Sequence, residues 1–167
     1  MSDLPAKLPG CCIRLLARPG WFEANLLRSV RLALANPFVR LIQRMAGVPV
    51  AATAIGDVIY FRLPEYFDPH TLGGISLIAH ELRHVEQCRE CGGLVPYAIL
   101  YTWEYLRKGY GTTISFEAEA YELGDVVYEH LLREFDANPG QPPCVGVAGH
   151  RLNPHYRLLV PAPVLNR

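Results

Sequence analysis

Long apolar runs are missing from this sequence. Its charge-free stretches, 45–56 and 91–103, span 12 and 13 residues, whereas a membrane-crossing helix needs about 18 or more. No transmembrane span is expected. The first residues do not combine a charged region, an apolar core and a small-residue cleavage site in that order, so no classical secretory signal is read. Net charge is also missing, with sixteen basic against sixteen acidic side chains, which argues against a nucleic-acid partner. Cysteine is scarce and odd in number, five in 167 residues. That excludes a disulfide scaffold and makes a reducing, cytoplasmic compartment the default. Internal repeats are absent. Half of the residues are apolar and 19% charged, a composition that excludes disordered and collagen-like chains and suits one folded domain.

What charge there is lies unevenly. Residues 1–48 hold seven basic and two acidic groups, net +5, and the remainder is net −5. A basic front end on an acidic body permits docking to a membrane surface, to a protein or to the chain's own body. Segment 21–45, with arginines at 28, 31, 40 and 44, is the part that would do so.

Periodicity then divides the chain. Prolines at 5, 9 and 19 make 1–20 an irregular lead-in. Leu26, Leu27, Val30, Leu34, Phe38, Leu41, Ile42 and Met45 recur at three and four, which predicts a helix over 21–45 kinked at Asn36-Pro37. Segments 51–55 and 58–62 flank Gly56-Asp57 and predict a β-hairpin. A helix follows, starting at Asp68-Pro69 or after a turn through Thr71, and stopping at Gly92-Gly93. Pro96 opens another over 97–108, and Thr113 or Ser115 caps a long one to about 135. Beyond it, 136–167 holds six prolines and no period. The expected class is α+β, helix-dominated with one small hairpin. It divides into a basic N-terminal segment (1–48), a metal-binding core (49–135) and a Pro-rich tail (136–167).

Chemistry concentrates at His80-Glu81-Leu82-Arg83-His84, an H-E-x-x-H pattern inside a predicted helix. Residues four apart share a helix face one turn apart, so both imidazoles can meet one ion, while Glu81 stands beside the first without being a ligand. From the chain's own six His and eleven Glu, chance produces the pattern in roughly one such sequence in seventy. The flanks decide between coincidence and function. Ile75, Leu77, Ile78, Ala79 and Val85 turn this helix inward, where two histidines and a glutamate need a partner. A zinc ion supplies one, and a catalytic zinc needs a third protein ligand. Glu117 or Glu119, both in the next long helix, offers the carboxylate. They lie about 200° apart around the axis, so one alone can face the ion.

The segments 54–61, 77–87 and 116–121 together resemble minimal bacterial zincin-like domains of the gluzincin type, including those in contractile injection system loci. The last segment is also similar to the E-x-x-A stretch of the integral-membrane CAAX prenyl proteases. That resemblance implies a zincin-like metallopeptidase core, with His80, His84 and Glu117 (Glu119 as the alternative) holding Zn2+ and Glu81 taking a proton from metal-bound water. Where some relatives carry Asp, this chain has Tyr121, so the partner that orients the histidines is unassigned. Tyr121 is the first candidate for an oxyanion donor, ahead of Tyr128 and His130. Segment 58–62 is the candidate edge for pairing an extended peptide or protein substrate.

Other groups read as structural. Cys88 and Cys91 form a C-x-x-C without a second pair of ligands or a redox setting, and burial of Cys88 is the simpler account. Tyr97, Tyr101, Trp103 and Tyr105 read as core and cleft wall. Cys144, His150 or His155 from the tail would be a latent fourth ligand. Two functions remain: zinc-dependent peptide hydrolysis, and a metal-binding scaffold or assembly module without turnover.

Overall fold

Backbone partners distant in sequence, more than local periodicity, decide the structure of the first third of the chain. The computed structural model describes residues 6–45, 50–66, 71–109 and 111–137. Its elements run β1 (Ala6–Lys7), α1 (Gly10–Leu16), α2 (Ala24–Ser29), β2 (Arg31–Leu34), α3 (Pro37–Met45), β3 (Ala52–Ile55) and β4 (Val58–Phe61). A short 3-10 turn (Pro64–Tyr66) precedes α4 (Leu72–Glu90), α5 (Leu94–Lys108) and α6 (Ser115–Ala137). The four strands form one sheet in the order β1-β2-β4-β3, with β2 parallel to β4 and the outer pairs antiparallel. The α+β class and the excess of helix match expectation.

Segment 21–45 is not one kinked helix. Val30 ends α2 in an extended conformation, and Arg31–Leu34 joins the sheet. The Arg31 amide donates to the Asp57 carbonyl at 2.9 Å and the Ala35 amide to that of Phe61 at 2.8 Å. Leu26, Leu27, Val30 and Leu32 are buried in this arrangement, so the same apolar spacing serves helix and strand alike. From residue 6 on, the lead-in likewise forms regular elements. Cys12, Leu15 and Leu16 form the buried stripe of α1, in the same core as Ile59, Ile75 and Ile78.

The hairpin forms as expected, with Gly56 at φ 58° in its turn, a left-handed conformation that favours glycine. Its second strand is not an edge, because β2 and β3 flank β4 on both sides. The edge on the hairpin side is β3.

Thr71 caps α4, its side chain accepting from the Gly74 amide at 3.0 Å. Of the two starts considered this is the observed one, and Asp68-Pro69 lies outside the described residues. Gly92 and Gly93, both at positive φ, end the helix, with the Gly93 amide closing on the Cys88 carbonyl. The cap of α6 is neither Thr113 nor Ser115. Glu104 of α5 accepts from the Ser115 amide and hydroxyl, each at 2.7 Å, a carboxylate at a helix N-terminus. The bonds to Ser115 hold that carboxyl well below its usual range.

Helix α4 is the centre of the molecule. Ile75, Ile78, Leu82 and Val85 are fully buried between the hairpin and α6, and each such side chain contributes roughly 1.5–3 kcal/mol. Ala120 and Gly124 keep α6 close, and the Ser76 hydroxyl donates to the Gly124 carbonyl at 2.9 Å. Tail positions Cys144, His150 and His155 lie outside the described residues.

Hydrogen exchange tests the strand assignment: the amides of Arg31 and Ala35 exchange as slowly as those of the buried core. A helix through 21–45 would instead protect an uninterrupted run of amides across 30–35.

Candidate metal centre

His80 and His84 stand one turn apart on the buried face of α4, and Glu117 meets them from the first turn of α6. The two Nε2 atoms lie 3.2 Å apart. Glu117 Oε2 is 3.5 Å from the first and Oε1 is 3.5 Å from the second. Ligand atoms held at about 2.1 Å around a tetrahedral ion sit about 3.4 Å from one another. The observed spacings therefore match a coordination shell. Among the described residues Glu117 Oε2 is buried without a hydrogen-bond partner, a group for which an ion is the natural counterpart. The His80-His84-Glu117 group can hold a metal ion.

Helical phase selects Glu117 over Glu119. Glu119 projects from another side of α6, where it accepts from Arg83 at 2.8 Å and from Gln87 Nε2 at 3.0 Å. Its influence on the site is indirect. Gln87 Nε2 also donates to the Phe116 carbonyl at 3.0 Å. With both of these partners acceptors, the amide orientation is set, and Gln87 Oε1 faces His84 Nδ1 at 2.9 Å. That nitrogen must carry the proton, which leaves Nε2 to bind the ion. Gln87 is thus the orienting partner that sequence reasoning left unassigned. The signal was available: it lies three residues after His84 on the same face.

Two tyrosines of α5 complete the surroundings. Tyr101 donates to Glu117 Oε1 at 2.6 Å, and the Tyr97 hydroxyl lies 3.1 Å from His84 Nδ1. Both belong to the series read as core and cleft wall. They do line the cleft, and they hold ligand side chains as well. Trp103 of that series is exposed and belongs to neither wall nor core. Tyr121 packs its ring against the His80 imidazole, centroids 4.5 Å apart, and is not among the cavity-lining residues. His130 is drawn away to Arg18 and Glu134, and Tyr128 packs against the core. Cys88 is buried, and Cys88 and Cys91 are both free thiols.

Electrostatics favour a cation at this point. Burial works against the His84 imidazolium, but the Glu117 carboxylate outweighs it and the pKa rises to about 9. Burial also opposes ionisation of Glu117, yet the two histidines hold its carboxyl far below the usual carboxylate range. Glu81 is pushed the other way. Burial raises it, and the histidines and the Ala54 amide only partly compensate. A cavity of about 430 Å³ opens over the four groups, walled by β3, α3 and α5.

Three expectations follow for metal uptake. Below about pH 9 His84 carries a proton that the ion must displace. Calorimetry in buffers of different ionisation enthalpy therefore shows about one proton released at pH 7, and affinity climbs about tenfold per pH unit up to about 9 before levelling. Gln87→Ala weakens binding about 10–100-fold. Glu117→Ala weakens it more than Glu119→Ala does, and the reverse order would contradict the geometry.

A family model described as the eCIS core domain matches residues 39–92, from α3 to the end of α4. The matched stretch carries His80, Glu81 and His84 and stops short of Glu117. No curated protein and no solved structure matches the chain. Over that third of its length the chain is similar to domains associated with extracellular contractile injection systems.

Proposed function

We propose that the protein is a zinc-dependent peptidase with a zincin-like core, in which Glu81 is the general base. The observation that carries this reading is a fourth buried group beside the three ligand candidates. Glu81 faces the same cavity as His80, His84 and Glu117, and a site that merely held an ion would have no use for it. A donor set of two histidines and one glutamate is that of catalytic zinc with an open position.

When bound, such an ion supplies Lewis acidity to a scissile carbonyl and to the attacking water. The protein's own groups do the rest. Glu81, made more basic than an ordinary carboxylate by burial, accepts the proton of the attacking water and hands it to the leaving amine. Gln87 and Tyr97 fix His84, while Tyr101 fixes Glu117. Among the described residues strand β3 pairs with β4 alone, and it lines the cavity through Ala52, Thr53, Ala54 and Ile55. An extended peptide added to that edge would run past Glu81. The apolar walls exclude bulk water and strengthen each electrostatic interaction inside.

The family match supports a second reading, a metal-holding assembly module of an injection system that does not turn over. Digestion of a peptide library by wild type and by Glu81→Gln, both loaded with zinc, separates the two. Hydrolysis by the wild type that falls about 10²–10⁴-fold in the variant and is abolished by chelation supports the peptidase. Equal inactivity of two zinc-loaded proteins supports the module.

A further inference from the structure

We infer that α3 and α5, the helices on either side of the cleft mouth, form a docking surface for an anionic lipid bilayer. The cavity's rim places them together: Phe38 and Ile42 of α3 line the same opening as Leu94, Ala98 and Thr102 of α5.

Helix α5 is amphipathic in the inverse sense. Its inward stripe is Tyr97, Tyr101 and Glu104, which are polar at their tips and bonded to His84, Glu117 and Ser115. The opposite stripe is Val95, Ile99, Trp103 and Leu106, spaced four, four and three, and these are 70, 64, 54 and 77% exposed. A surface helix of a water-soluble domain turns its apolar stripe inward. Helix α3 repeats the arrangement: Val39 and Gln43 are buried, whereas Phe38, Leu41 and Ile42 are exposed. Apolar side chains presented by two neighbouring helices make a surface that calls for an occupant.

Charge identifies the occupant. No acidic residue occurs between Glu23 and Asp57 or between Glu90 and Glu104. The charges on these helices are Arg40 and Arg44 on α3, Arg40 also donating through Nε to the Ala35 carbonyl at 3.0 Å, and Arg107 at the end of α5, with Lys108 paired to Glu104 at 3.1 Å. Glu104, the acid on α5, is taken up by Ser115 and Lys108. The Arg107 guanidinium lies 4.4 Å over the Trp103 ring, an interfacial aromatic with a cation beside it. A second copy meeting this face symmetrically would bring these arginines no acidic partner, because Glu104 is already held by Ser115 and Lys108. Anionic headgroups complement it, with apolar side chains at the acyl boundary and basic stems reaching out to phosphate. Among the described residues no helix is long and apolar enough to cross a membrane, so this contact lies on the surface.

The test uses the full chain with vesicles of phosphatidylcholine alone and of phosphatidylcholine mixed with phosphatidylglycerol. The expected result is flotation with the anionic vesicles only, weakened by salt, with a blue shift of Trp103 emission read in a Trp21→Phe background. Arg40→Gln and Arg44→Gln each reduce partitioning about fivefold, and Trp103→Glu with Leu106→Glu abolishes it. These positions are exposed, and circular dichroism and metal retention report that the variants fold. Folded protein that ignores both vesicle types, or binds both equally, overturns the proposal. So does a stable dimer, seen by sedimentation, that the same variants dissociate. Glu81→Gln binds vesicles as the wild type does, so docking and hydrolysis stand or fall separately.

Discussion

Two imidazoles and a carboxylate are forced together where α4 crosses α6, and much of the fold serves to hold them there. Each buried polar group without a partner costs about 1–3 kcal/mol, so the core must fix this arrangement against its own tendency to open. Small residues do part of that work, since Ala120 and Gly124 let α6 approach and Ser76 ties the backbones. Outside the crossing, Arg83 of α4 grips Glu119 of α6 at 2.8 Å. Exposed ion pairs contribute little by themselves. This one matters through geometry, because Glu119 also holds Gln87, and Gln87 holds His84.

Helix α5 stands in a different relation to the core. Tyr97 is its buried residue, and its bonds inward are to His84, Glu117 and the start of α6. Glycines at positive φ bound it at both ends, Gly93 before and Gly109 after. The helix that walls the cleft is therefore tied to two of the candidate ligand side chains, and its tyrosine rings pack on Phe116. Filling the centre with an ion would tighten those side chains and, through two tyrosine hydroxyls, the wall. Tyr97 and Tyr101 thus join the cleft wall by direct contact to the side chains that could hold an ion.

The sequence was most legible where one helix explains everything. His80, Glu81 and His84 depend on spacing within α4, whose flanks already pointed inward. Glu117 needed the resemblance, because helical phase alone left Glu119 open and only the approach of α6 to α4 separates them. Gln87 was within reach of the sequence, three residues after His84 on the same helix face, whereas Tyr97 and Tyr101 were invisible as site residues because their partners are the site's other side chains and nothing local marks them. Strand β2 was lost for a related reason. Leu26, Leu27, Val30 and Leu34 satisfy a helical period, and the parallel ladder to β4 that overrides it joins residues 27 apart in sequence. That ladder also moves β4 from edge to interior, which transfers the candidate substrate edge to β3.

The uneven charge of the two halves takes on meaning once α3 and α5 are seen side by side. In sequence the basic front end could have covered the acidic body, and one arginine does so, Arg18 bonding Glu134 at 2.6 Å. Arg40 and Arg44 instead stand beside exposed phenylalanine and leucine at the cleft mouth. On the peptidase reading, an apolar cavity leading from such a rim to a buried, charged centre would favour a chain that arrives with apolar side chains, whose removal from water is favourable. His80, Glu81, His84 and Glu117 lie beneath the rim rather than on it. Docking by α3 and α5 would then set the distance of the centre from the bilayer, and a segment emerging from the membrane plane would meet β3 before it met bulk solvent.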